Sequence, residues 1–532
     1  RPSVSRATSA AATPAAPKKA EAGKPPENKD SVREVVETIV FVVVLVLLLK
    51  TFLAEAFVIP TGSMASTLWG DHINVTCPEC GNKFAVTAAA SHGPRTVPTL
   101  TFCQNCGVAF RPENPKDWNS GDRVLVAKYA YHLAPPRRFD VPVFKYPREP
   151  YNGAEKTAMN YIKRLAGLPG ETIAIYQGDL YRTDSLKYLG HPRPARPEDF
   201  WQAEYTYRDD PEAVAHFYTG GFAPIRKEPH EILAVRRLVF DLDQQPKSLT
   251  GLARVRWQVD PAAGVGWAME ERGFRHTGGE TGWMRYQHVE PGSWSVDPVS
   301  GMATVPKQPD YIRDHLAYNV FEGVVPGRNW VPDLLVECDA RIESGSDKVV
   351  LELTKAGDKF QAVFDNGMCR LFRISPAAGS QPEMVAEQST RITSAGKYSL
   401  RFANFDSRLT VWVDGRVLDF GGKSDYPPPD RKSFGSKVSD LHEPARIGAT
   451  GNVTISRVSL WRDVYYTCGS ARNEQGDCQL QTFYVQPGHY FCLGDNSASS
   501  ADGRDWGLVP ERLMLGKAVV VYWPISRIGV IK

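Results

Sequence analysis

The 532-residue sequence lacks an excess of charge of either sign. Its 63 Lys and Arg face 60 Asp and Glu, for a net charge of +3. That balance gives no support for a nucleic-acid partner, because a polyanion selects strongly basic surfaces. Disorder-prone composition is also missing: 42% of residues are hydrophobic and 23% charged, so most of the chain can fold. The unbroken apolar run Ile39 to Leu49 has only 11 residues, short of the ~20 that cross a bilayer. The cysteines do not come in an even number. Nine of them cannot all form intrachain disulfides.

What is present points to several folding units. At ~150 residues per domain the length predicts three or four. Gly (44) and Pro (40) punctuate short apolar segments such as Val124–Val126, Thr172–Tyr176 and Ala518–Tyr522. Together with 56 aromatic residues (21 Tyr, 23 Phe, 12 Trp) they predict a mainly β fold. Residues 1–30 are rich in Ala, Pro, Lys and Ser and read as a disordered cytoplasmic tail. Extending the short apolar run from Val35 to Ile59 gives 25 residues interrupted by Glu37, Thr38, Lys50, Thr51 and Glu55. The charged positions lie near the ends, where side chains snorkel, so 31–59 is expected to be a single transmembrane helix. Arg1, Arg6, Lys18, Lys19, Lys24, Lys29 and Arg33 precede its apolar part from Val35. The positive-inside rule then places the N-terminus in the cytoplasm and everything past ~60 outside the inner membrane.

Three short segments carry candidate chemistry. Phe57-Val-Ile-Pro-Thr-Gly-Ser63-Met64 presents a serine beside a glycine at the end of an extended stretch. A serine is a weak nucleophile without a base. Tyr161-Ile-Lys163-Arg-Leu-Ala-Gly-Leu-Pro-Gly170 supplies one, a lysine among apolar neighbours, where burial can lower its pKa enough to leave the amine neutral. Leu493-Gly-Asp495-Asn496 through Ser500, Asp502, Arg504 and Gly507 is a dense polar loop between apolar strands.

With Gly121-Asp-Arg-Val-Leu-Val126, these boxes stand in an order that resembles bacterial type I signal peptidase, the membrane-anchored Ser–Lys serine protease family. The resemblance covers residues 31–68, 120–180 and 483–532. It implies Ser63 as nucleophile and Lys163 as general base, with an oxyanion hole from Thr61 and the Ser63 amide. It also implies Ser500 as the lysine-orienting serine and Asp495, Asp502, Arg504 and Arg164 as residues bracing the loop. Phe57, Ile59, Met64, Leu68 and Ile162 would line shallow substrate pockets that accept small residues before the cut. The implied activity is a hydrolase of protein secretion that removes signal peptides from exported preproteins, with no cofactor for catalysis. Its implied partners are preprotein signal peptides, the lipid bilayer and the secretion translocon. Two departures stand out. Ala65-Ser66 replaces the family's usual Pro before Thr67-Leu68, and Ser-Ala-Ser follows Asn496 where the family often has Arg-Asp-Asn.

The rest of the chain lies outside the resemblance. Cys77-Pro-Glu-Cys80-Gly and Cys103-Gln-Asn-Cys106-Gly are two C-x₂-C knuckles. Four converging thiolates predict a structural zinc ribbon at 69–119, with one or two disulfides as the rival chemistry. Cys468 and Cys478 frame a loop that a disulfide could close; Cys338, Cys369 and Cys492 sit in apolar strand contexts as buried thiols.

Residues 181–310 read as a β-rich insertion of unclear fold, 311–463 as a jelly roll of the concanavalin/laminin-G kind, and 464–482 as a connector. The jelly-roll expectation rests on the alternation Leu334, Val336, Cys338, Ala340, Ile342 and on hairpins ending in Val411-Trp-Val-Asp-Gly415. Its ligand is not legible. Trp412 reads as a core or sheet-face residue, against a sugar-stacking alternative. The catalytic domain is therefore expected in pieces, 60–68, 120–180 and 483–532. A rival from the enzyme class is a self-cleaving Ser–Lys protease of repressor type. A rival from another class is a membrane-tethered glycan- or protein-binding module on an inactive protease scaffold.

Overall fold

The computed structural model describes residues 31–48, 50, 53–88, 100–112, 118–146, 159–186, 208–248, 256–270, 272–296, 300, 303–304, 308–319, 327–377, 379–468 and 480–532. The expected tail (1–30) and Cys478 lie outside them. The chain separates into a short unit up to Leu53 and a large one from Ala54 to Lys532.

The short unit holds one helix, Ser31–Leu48, whose apolar side chains from Val35 onward are exposed. Arg33 and Glu37 pair one turn apart at 2.8 Å. No described helix is long and apolar enough to cross a membrane, and the bounds of the helix expected over 31–59 are corrected, since it is described only over Ser31–Leu48. Its last residues belong elsewhere: Ala54–Val58 is a strand paired antiparallel with Arg123–Ala127. The physical reason is that this backbone is extended and pairs along one side with Arg123–Ala127 in a sheet ladder, which a helix would forfeit.

The large unit is mainly β, as expected. Its six-stranded sheet runs Ala54–Val58, Arg123–Ala127, Met514–Trp523, Pro142–Lys145, Asn160–Ile162, with Gly529–Val530 added to Met514–Trp523. Ile59, Met64, Leu68, Val124, Val143, Ile162 and Ala518 form the core beneath it. Of the continuous apolar runs read from sequence, Thr172–Tyr176 is a strand buried on both faces, whereas Val124–Val126 and Ala518–Tyr522 lie in strands that leave Leu125 and Tyr522 exposed. A second, three-stranded sheet pairs Arg164–Gly167 with His489–Leu493 and then Val509–Pro510. The chain thus changes sheets at Lys163, the single residue between Ile162 and Arg164.

Two larger sheets, of eight and seven strands, enclose the most extensive hydrophobic core. Val336, Leu351, Phe402, Val411, Ile447 and Leu460 fill it, a β-sandwich built by alternation. Asp414 and Gly415 both adopt left-handed φ, 49° and 75°, as a tight hairpin turn requires. The expected boundary at 311 is corrected. Arg237–Asp241, Trp267–Glu270 and Gly273–His276 join one sheet, and Trp257–Val259 and Gly282–Tyr286 join the other. Trp257, Phe274 and Tyr286 complete the same core. Trp412 is only 2% exposed and packs with Ile232, Leu335 and Phe405. Burial leaves it no free face for a sugar.

A buried ionic network joins the sandwich to the strand Asp179–Thr183. Lys227 Nζ donates to Asp406 (2.9 and 3.0 Å) and Asp463 (2.7 Å). Lys355 Nζ donates to Asp333 and lies 3.7 Å from Asp179. The two ammonium groups already occupy the space between four carboxylates, and burial with like-charge repulsion raises Asp463 to about 7. Removing one cation strands buried anions. Lys227→Met is therefore expected to lower unfolding stability by roughly 3–5 kcal/mol in urea titrations of the whole chain. A loss below 1 kcal/mol would mean that the pair contributes no more than an exposed one.

Candidate active site

Lys163 Nζ lies 2.7 Å from Ser63 Oγ across 100 residues of sequence. The serine sits in a short 3-10 turn, Gly62–Met64, that follows the edge strand Ala54–Val58 and leaves it half-buried. The lysine is 2% exposed at the crossover between the two sheets. Burial pushes its pKa down to about 8, against the opposing pull of Asp502. Cys492, directly across the ladder from Leu165, is a buried thiol beside it. The Tyr161 ring stands 5.4 Å from Nζ and stacks on Tyr146 at 4.8 Å, which walls one side from water.

The polar loop after Leu493 closes over this pair through two buried guanidinium–carboxylate forks. Arg164 donates to both oxygens of Asp495 at 2.7 Å, and Thr67 donates to the same carboxylate at 2.6 Å. Arg164 holds the Asp495 pKa below the usual carboxylate range despite complete burial. Arg504 grips Asp502 at 2.8–2.9 Å and also donates to Thr467 and to Ser497. Asp502 in turn accepts from the amide of Gly494 at 2.9 Å. Planar, always-charged guanidinium suits such bidentate pairs, and each pair here has all its partners inside the protein.

Gly494 is the point of closest approach. A Cβ there would stand 2.1 Å from Ser500 Oγ and 2.5 Å from the Ser63 carbonyl oxygen, so only glycine fits. The Ser63 carbonyl accepts from the Asn496 amide at 3.0 Å, and the Asn496 side chain donates to the Gly62 carbonyl at 2.9 Å. These bonds fasten the serine turn to the loop.

Ser63, Lys163, Arg164, Asp495, Ser500, Asp502 and Arg504 are thus gathered at one place. Ser500 differs in detail: its Oγ is buried without a hydrogen-bond partner among the described residues, so the expected bond to the lysine is not made. Thr61 is exposed, and its side chain makes no capping bond. The expected substrate-pocket set is corrected in part. Met64 and Leu68 are fully buried in the core under the sheet and offer a substrate no surface. Ile59 (3%) and Ile162 (9%) are nearly so, and Phe57 is half-buried.

Other contributors were not foreseen. Asp122 accepts from the Trp69 amide at 2.8 Å and pairs with Arg527 at 2.9 Å, and the Arg527 guanidinium lies 3.7 Å from the Trp69 ring. Asn319 and Arg237 reach the site from the region read as insertion. Asp122 and Asn496 stand inside recognisable boxes, but no local signal marks Asn319, Arg237 or Arg527.

The four knuckle cysteines also converge. Cys77 and Cys106 sulfurs are 3.6 Å apart, those of Cys80 and Cys103 3.5 Å, and all four lie within 4.8 Å of one another. None is in a disulfide. Gly81 and Gly107 take left-handed φ (72° and 80°) and fold each knuckle back on its first cysteine. Tetrahedral zinc at ~2.3 Å from sulfur requires sulfurs ~3.8 Å apart, so the set fits a metal of that size. Cys468 is disulfide-bonded.

A nucleophilic hydroxyl touching a desolvated lysine is the arrangement of a serine peptidase, and comparison with known proteins supports that class. Residues 101–210 and 440–523 match the signal peptidase (peptidase S26) family. The match begins after Ser63, and its second segment includes the last two sandwich strands, Ala445–Thr450 and Val453–Arg462. Signal peptidase I of Leptolyngbya laminosa is 28% identical over 204 residues, covering 38% of this chain and 70% of the relative. Signal peptidase I of Pseudomonas aeruginosa is 38% identical over 133 residues, 25% of this chain and 31% of the relative. That of Aquifex aeolicus is 47% identical over 51 residues, 10% and 19% respectively. These matches support a type I signal peptidase, although the chain spans less than a third of the latter two relatives. Among solved structures, a carbohydrate-binding module, CBM66 from Bacillus subtilis, is similar at 14% identity and a TM-score of 0.23, over 38% of this chain and 94% of that one.

A lysine lowered to about 8 loses its proton on folding earlier than an unfolded lysine does. The folded form therefore gains stability as pH rises from about 8 towards the ordinary lysine value, whereas the neutral base accumulates as pH rises through about 8. Acylation of Ser63 by an activated ester, followed by mass spectrometry, is expected to rise with unit slope and level off above about pH 8. A flat rate between pH 6 and 9 would show that Lys163 is not the base.

Proposed function

We propose that this protein is a membrane-anchored serine endopeptidase that removes N-terminal signal peptides from exported preproteins after small-x-small sites. The observation that carries this reading is the 2.7 Å contact between Ser63 and a buried Lys163, on a chain whose relatives are signal peptidases.

In this mechanism Ser63 Oγ attacks the scissile carbonyl carbon as its proton passes to the neutral Nζ of Lys163. The oxyanion is met by the Ser63 amide and by the exposed Thr61 hydroxyl. Lys163 then returns the proton to the leaving amine. The acyl-enzyme forms, and water hydrolyses it with the same lysine as base. Desolvation is what makes this work near neutrality: a lysine with its ordinary pKa would hold its proton and could not accept another. The forks Arg164–Asp495 and Arg504–Asp502 position the loop and do not touch the reacting atoms.

The segment containing Ser31–Leu48 would hold the catalytic part at the membrane. Its exposed valines and leucines favour a lipid environment, and the basic residues before it favour a cytoplasmic N-terminus. The translocon would then be the neighbour that delivers preproteins. The knuckles Cys77, Cys80, Cys103 and Cys106 would hold a structural zinc that locks two turns together.

Two measurements test these assignments. Purified protein should cleave a preprotein bearing an Ala-x-Ala site, while Ser63→Ala and Lys163→Ala should each lose at least about 10³-fold in kcat/KM. Equal cleavage by all three would sink the mechanism. Metal analysis should find one zinc per chain, lost in Cys77→Ser; unchanged zinc in that variant would exclude the site.

A further inference from the structure

Residues far outside the peptidase motifs hold the serine turn. The short turn Ala317–Asn319 lies before the first long sandwich strand, Leu334–Ile342. Asn319 and Asn496 exchange two side-chain hydrogen bonds, at 2.6 and 2.7 Å. An asparagine pair that donates and accepts on both sides has one relative orientation, so it fixes the Asn496 amide plane. Asn496 is only 3% exposed. Its amide nitrogen donates to the Ser63 carbonyl, and its side chain donates to the Gly62 carbonyl.

Tyr318 acts on the other side of the same turn. Its ring lies against Gly62 so closely that a Cβ on Gly62 would come within 2.2 Å of it. Its hydroxyl accepts from the Gly70 amide at 3.1 Å. A third contact comes from the sandwich edge strand Arg237–Asp241. Arg237 is 3% exposed and donates to the carbonyls of Ala65 and Asp495, both at 3.2 Å. It therefore bridges the segment after the nucleophile to the loop beside the base. The cavity left between Arg237, Asn319 and that loop is about 20 Å³, room for about one water.

We infer that the inserted sandwich unit is a positioning element of the active site: Asn319 and Tyr318 set where Ser63 stands relative to Lys163, and Arg237 holds the two loops together. Without them the Ser63 and Gly62 carbonyls keep their bonds to Asn496, but the Asn496 side chain loses the partner that fixes its amide plane. A nucleophile displaced by about 1 Å from its base can lose up to about 10²-fold in rate. The sandwich is then part of the peptidase rather than a separate cargo on it. This inference rests on the assignment of Ser63 and Lys163 made above.

Acylation of Ser63 by p-nitrophenyl acetate reads the nucleophile directly, whatever the natural substrate is. For the full-length chain, Asn319→Ala is expected to slow acylation about tenfold and Tyr318→Phe about threefold. The KM for an Ala-x-Ala preprotein should change less than twofold while kcat falls with the acylation rate. Asn319→Gln, which keeps the amide on a longer arm, should recover part of the loss. Asn319→Ala acylating at the wild-type rate would overturn the inference. So would a loss that tracks the unfolded fraction measured by circular dichroism at the same temperature. If wild type is acylated at Ser63 and the variant is slowed, but no preprotein is cleaved, the substrate reading fails and the positioning role stands.

Discussion

The constraint on which the proposed active site depends is the burial of one amine. Lys163 is useful only if it is uncharged, and it is uncharged near neutrality only if water is kept from it. That requirement explains where it sits. The crossover from one sheet to the next, between Ile162 and Arg164, gives a residue with strand neighbours on both sides and its side chain in the gap between two sheets. Tyr161, Cys492 and the covering loop then complete the enclosure.

Enclosing an amine this way requires a rigid cover made of polar chain, and a polar cover must satisfy itself. The two buried guanidinium–carboxylate forks do that. Arg164 and Arg504 each leave their carboxylate fully hydrogen-bonded, so the loop can lie over the lysine without presenting an unpaired anion to it. Asp502 still pulls the lysine pKa upward, and burial outweighs it. The balance is local, because Asp495 and Asp502 each spend most of their charge on an arginine.

The sandwich and the ribbon extend the same logic outward. Gln104 donates to the Leu238 carbonyl at 2.9 Å, and Asn105 accepts from the Asp241 amide at 2.7 Å, so the knuckle loops are tied to the edge strand that carries Arg237. The network of Lys227, Lys355 and four aspartates ties the other end of the sandwich to the strand Asp179–Thr183. The inserted parts are therefore fastened to the catalytic sheets by charge as well as by apolar packing.

Sequence by itself determined the local chemistry. The serine box, the lysine box, the polar loop and both cysteine knuckles are contiguous, and their residue types dictate turns, strands and metal-like spacing. The mainly β character and the hairpins near Trp412 were legible for the same reason: period-two alternation and left-handed turn residues act within a few positions. Only the tertiary structure decided the rest. It ended the hydrophobic segment in a sheet strand at Ala54, drew Arg237–Tyr286 into the sandwich, and buried Met64 and Leu68. It also brought Asn319 across 177 positions to Asn496. Those outcomes depend on which surfaces meet, and an asparagine in a loop has the same sequence signature whether it faces water or another amide.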